Sequence, residues 1–69
     1  MALNYAYNYA EIDPTTGMCI GVYSMTSPTN AENLVEIPVN DEDYILKFYI
    51  NGAWYEDAAG TIPWTSSLI

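Results

Sequence analysis

The chain has no histidine and no arginine, one lysine (Lys47) and one cysteine (Cys19) in 69 residues. Each scarcity removes a class of function. Without an imidazole, a Ser, Thr or Cys nucleophile lacks its usual general base. A Cys/His metal site cannot be assembled. One cysteine forbids an intrachain disulfide and fits synthesis in a reducing cytoplasm. One cation against nine acidic residues leaves a formal charge of −8. Such a chain is repelled by nucleic acid and by anionic membrane surfaces, both of which need basic residues facing the phosphates. No apolar run is long enough to span a bilayer. The N-terminus shows no basic region followed by the apolar core of a signal peptide.

What is present is apolar and aromatic. Hydrophobic residues make up 51% of the chain, with seven tyrosines and two tryptophans. A domain this small buries only about 60% of the surface its unfolded chain exposes, so its own core is marginal. With no disulfide or metal to staple it, association is the economical remedy. A homo-oligomer that completes its core between chains is expected.

The pattern of turns and alternation predicts an all-β fold, a small antiparallel meander of four to five short strands with one helical turn near 41–46. Residues Asn4–Ile12 place Tyr5, Tyr7 and Tyr9 on one face of a first strand. Asp13-Pro14-Thr15-Thr16-Gly17 is a hairpin loop with Gly supplying positive φ. Met18–Ser24 returns as a second strand, with Met18, Ile20 and Val22 on one face and Cys19, Gly21 and Tyr23 on the other. Gly21 marks a bulge or a neighbour packed close above it. A polar loop follows, then a brief helical turn at Ala31–Asn33 and a third strand over Leu34–Val39. Pro38 limits that strand to a short or edge position. Asn40 or Asp41 caps a turn through Asp41–Leu46, with acidic residues in its first positions. Lys47–Asp57 is a hairpin turning on Asn51-Gly52, the strongest two-residue turn signal. Residues 1–57 thus form one domain. Residues 58–69 form an apolar tail, docked on the sheet or exchanged with a neighbouring chain.

No catalytic constellation emerges. Glu56 and Asp57 are adjacent and point apart on a strand, and Asp41, Glu42 and Asp43 read as a solvated cap. Neither arrangement spans a cleft as a glycosidase pair must. No EF-hand spacing occurs, and no metal or cofactor is expected. Cys19 lacks a neighbouring cation to activate it and reads as a small core residue. The aromatic set is the remaining signal. Tyr5, Tyr7, Tyr9, Trp54, Tyr55 and Trp64 suit a core or a subunit interface, or a platform for sugar rings. On the hairpin, alternation sends Trp54 and Tyr55 to opposite faces, one toward the core and the other toward a partner.

Four segments carry a resemblance. They are Tyr7-Asn8-Tyr9-Ala10-Glu11-Ile12-Asp13, Gly17-Met18-Cys19-Ile20-Gly21-Val22, Leu34-Val35-Glu36-Ile37-Pro38 and Asp43–Tyr55. Their turns and aromatics resemble the small β-rich modules in tail and minor structural proteins of phages of Gram-positive bacteria. The resemblance runs up to Glu56 and excludes the tail. It implies a non-enzymatic virion or prophage component, often oligomeric, near the host-contacting end of a phage tail. Synthesis in the cytoplasm followed by incorporation into a virion is then expected, with further copies or other virion proteins as partners.

The leading expectation is therefore a structural or interaction protein assembling through aromatic surfaces. The alternative is a carbohydrate-binding module that uses Trp54, Tyr55 and the tyrosine stripe on a host-surface glycan. A small glycan-active enzyme relying on Glu56 or Asp43 comes third.

Overall fold

Strand β1, Tyr7–Ile12, is the central strand of a three-stranded antiparallel sheet. The computed structural model describes residues 7–69. The Asp13–Gly17 loop returns the chain into β2, Cys19–Met25, as its composition predicts. Asp13 Oδ1 accepts from the Thr15 amide at 2.8 Å, and Gly17 takes φ 77°. Strand β3, Leu34–Ile37, then pairs with the other edge of β1. It ends where Pro38 removes a backbone donor. The turn before it closes through Leu34 N–H donating to Ala31 O at 3.1 Å and is not helical.

A second sheet pairs β4, Phe48–Ile50, with β5, Ala53–Tyr55. Asn51 and Gly52 turn between them with φ 51° and 85°, the two positive values a type I′ turn needs. The 3-10 turn Glu42–Tyr44 precedes β4, and Asp41 caps it by accepting from the Asp43 amide at 2.9 Å. The two sheets are joined where Gly17–Cys19 runs beside Leu46–Tyr49. Cys19 N–H donates to Lys47 O at 2.7 Å, Leu46 N–H to Cys19 O at 2.9 Å, and Tyr49 N–H to Gly17 O at 2.9 Å.

One face assignment is corrected. The register slips between Glu11, opposite Gly21, and Ile12, opposite Cys19. Ile20 is the extra residue of this bulge, so alternation is broken there. Cys19 turns into the core with no exposed surface, and Ile20 is left 49% exposed instead of sharing the face of Val22. Gly21 fulfils both of its expected roles. It adjoins the bulge, and a Cβ there would lie 2.8 Å from Tyr23 Oη. The Tyr23 ring folds over it to donate to Glu11 Oε1 at 2.6 Å.

The core gathers Ala10, Cys19 and Ile37 from the first sheet around Tyr44 of the 3-10 turn, with Val22, Trp54 and Trp64 packed against them. On the opposite face of the sheet, Tyr9 is 3% exposed, and its hydroxyl accepts from the Thr29 amide at 3.0 Å. The loop after β2 therefore reaches back to the tyrosine face. Among the described residues, no helix is long and apolar enough to cross a membrane.

Candidate functional site

The tail 58–69 completes the site. Asp57 starts the return: its carboxylate accepts from the Thr61 hydroxyl and from the backbone amides of Thr61 and Ile62. Thr61's hydroxyl is the main reason this carboxyl is held below its ordinary range. The chain then runs beside β5. Glu56 N–H donates to Ile62 O at 2.8 Å, Tyr55 bridges Pro63, and Trp64 N–H donates to Trp54 O at 3.0 Å. Buried Ser66 donates its hydroxyl to the buried Asp41 carboxylate, fixing the far end of the tail to the cap of the 3-10 turn. That bond, with the Asp43 amide, keeps the Asp41 carboxyl below its usual range.

These contacts order a cluster of rings. Tyr44 meets Trp54 and Trp64 edge-on, each at a centroid separation of 4.8 Å. Tyr49 leans on Trp54 at 5.1 Å. Edge-to-face geometry directs the positive rim of one ring at the negative face of the next. The ammonium of Lys47, the chain's only basic side chain, sits 5.0 Å from the centre of the Trp64 ring. Burial raises the Tyr44 phenol above its ordinary value, with Asp41 adding to the effect, so the ring stays neutral at pH 7.

Beside this cluster lies an open cleft of about 390 Å³. Buried Tyr44 is at its base, half-buried Trp54 and Trp64 form its sides, and exposed Pro38, Ala53, Pro63 and Ile69 border it. Its side-chain hydroxyls come from Tyr44, Thr65 and Ser66, and Ser66 is committed to Asp41.

The expected aromatic set is divided. Trp54 and Trp64 come together in the cleft. Tyr55 is half-buried on β5, with its ring near Gly60. Tyr9 is enclosed and offers no ring face to a ligand, and Tyr7 is half-buried on β1. Tyr5 lies outside the described residues. Tyr44, Pro38 and Pro63 were not among the candidates. The position of Tyr44 three residues after the Asp41 cap, at the end of the 3-10 turn, is the local signal that one face of that turn must be inward.

Burial is the leading cause that lifts the Cys19 thiol above its ordinary value, which disfavours the nucleophilic thiolate. Among the described residues, no three acidic or cysteine side chains converge as a metal site would require. Comparisons with protein-family models, curated proteins and solved structures give no match.

Proposed function

We propose that this protein is a non-enzymatic structural or interaction module that contacts another protein chain through the Trp54–Trp64 cleft. The observation that carries the reading is the cleft itself, open and bordered by exposed apolar residues against two tryptophans. Aromatic side chains concentrated in a water-excluding patch are what protein contacts use for most of their energy. The turn and aromatic pattern that resembles phage tail modules supports a virion or prophage setting, with further copies or other virion proteins as partners.

A sugar-binding role has weaker support. Glycan recognition needs convergent polar groups beside the stacking ring, and this cleft offers the hydroxyls of buried Tyr44, of Thr65 and of Ser66, the last already engaged by Asp41. Lys47 also sits over one face of the Trp64 ring.

The test is photocrosslinking in the cells or virions that contain the protein, with a photoreactive phenylalanine analogue replacing Ala53. An adduct to a phage structural protein or to a second copy is the expected result. Absence of any protein adduct, together with glycan-array binding by the wild type, would replace this reading with the sugar-binding one.

A further inference from the structure

The cleft's chemistry narrows what can occupy it, on the reading that the cleft is a protein-contact site. We propose that its occupant is an extended, proline-containing segment of a partner protein, flanked by lysine or arginine.

Three observations carry this. First, the backbone of β5 facing the tail is already engaged. Trp54 O accepts from Trp64 N–H, and Glu56 N–H donates to Ile62 O. An incoming β-strand finds no ladder to extend at this edge, so recognition must use side-chain faces. A polyproline II segment is suited to that, because it docks its rings in aromatic-lined grooves and needs few hydrogen bonds. Second, the lining has the matching composition, with indole faces, two proline rings and few polar groups. Third, the charge around the cleft is mainly negative, with Lys47 over the Trp64 ring as a single cation. Glu36 lies two residues before Pro38, Glu42 and Asp43 immediately precede Tyr44, and Glu56 lies two residues after Trp54; all four are exposed. A basic flank is attracted to this fringe, which raises its association rate and rejects acidic competitors. The same charge opposes a second copy as occupant, since each copy brings −8.

The experiment titrates the full chain with a short synthetic peptide of Pro-Pro-Leu repeats bearing arginine at both ends. Tryptophan emission reports the cleft directly. Saturable change with a Kd on the order of 100 μM is expected. Ala53→Gln and Ile69→Gln alter exposed border positions outside the core, and each should weaken binding about fivefold or more. Replacing the terminal arginines by glutamates should weaken it further, and added salt should weaken the basic peptide selectively. No saturable change at millimolar peptide, or equal binding by the glutamate version, overturns the inference. Light scattering on the same samples separates its failure from that of the broader reading. If the peptide fails but the chain self-associates and Ala53→Gln reverses this, only the proposed occupant falls. If the peptide fails, the chain stays monomeric and glucan or chitin oligosaccharides change the emission, both fall.

Discussion

Ser66 donates its hydroxyl to the Asp41 carboxylate across 25 positions of sequence. The bond ties the tail to the cap of the 3-10 turn, and between its two ends stand Tyr44 and Trp64, in edge-to-face contact. Ser66→Ala leaves a buried carboxylate oxygen without its partner, a loss that costs more than a typical hydrogen bond is worth. Thermal melts should show a midpoint several degrees lower. Tryptophan emission in the folded state should shift to the red as the cleft wall loosens.

The same bond sets an acid limit. Asp41 is held below its ordinary range chiefly by the Ser66 hydroxyl, and Asp57 chiefly by the Thr61 hydroxyl. A depressed folded-state pKa contributes stability above the unfolded value, about 3.9 for Asp, and that contribution is lost as pH falls through the folded value. Protonating the other carboxylates acts in the opposite direction, because it relaxes the repulsion of a chain at −8. Comparing wild type with Ser66→Ala cancels this shared effect. The stability difference should be widest at neutral pH and should narrow below about pH 4. A gap that stays constant down to pH 2 would contradict the assignment.

Tyr23 gives the alkaline counterpart. Its hydrogen bond to Glu11, followed by the charge of that carboxylate, raises the phenol above its ordinary value. A raised pKa contributes stability that is fully present below the unfolded value, about 10, and is lost as pH rises through the folded value. Tyr23→Phe should remove that part of the alkaline loss. Gly21→Ala should disturb the same contact, since the new Cβ would meet the Tyr23 ring. The obstruction is the end of an exposed side chain that can swing aside, so the cost should be below about 1 kcal/mol. In a Tyr23→Ala background Gly21→Ala should become neutral or stabilising, which a double-mutant cycle measures.

Leu46 carries backbone strain. It has φ 78° and is 63% exposed, so its side chain recovers little by burial. A left-handed residue other than glycine costs roughly 1–2 kcal/mol, part of which glycine returns as unfolded-state entropy. Leu46→Gly should therefore stabilise by about 0.5–1 kcal/mol in chemical denaturation. Leu46→Val should destabilise by about 1 kcal/mol, because β-branching tolerates this region poorly. Gly52→Ala meets open space yet sits at φ 85°, so it should cost about 1 kcal/mol from conformation alone.

Much of the architecture is legible in local residues. Asn51-Gly52, Asp13–Gly17, Pro38 and Asp41 each act on the backbone within a few positions, and their turns, strand end and cap stand where their chemistry puts them. The features that escape are those decided by distant segments. Cys19 is buried as expected, but it shares the core face with Val22 and leaves Ile20 exposed in a bulge, where Cys19 pairs its backbone with Leu46 and Lys47. Tyr9 is enclosed because a loop twenty residues further on bonds its hydroxyl. Strand β3 joins β1 and leaves β2 at the edge, a choice that alternation does not encode. In the cleft, the tryptophans stand out in the sequence. Tyr44 at its base does not, because its burial depends on Trp64 of the tail coming back 20 residues later.

The cleft exists only if the tail closes on its own chain and sets Trp64 against Tyr44 and Lys47. Proton NMR of a dilute sample tests this most directly. The account predicts nuclear Overhauser contacts from the Trp64 indole to the Tyr44 ring, and Lys47 side-chain methylene signals shifted upfield by the indole. Both should be independent of protein concentration. Random-coil shifts for Trp64, or Trp64–Tyr44 contacts found only between differently labelled chains, would contradict it.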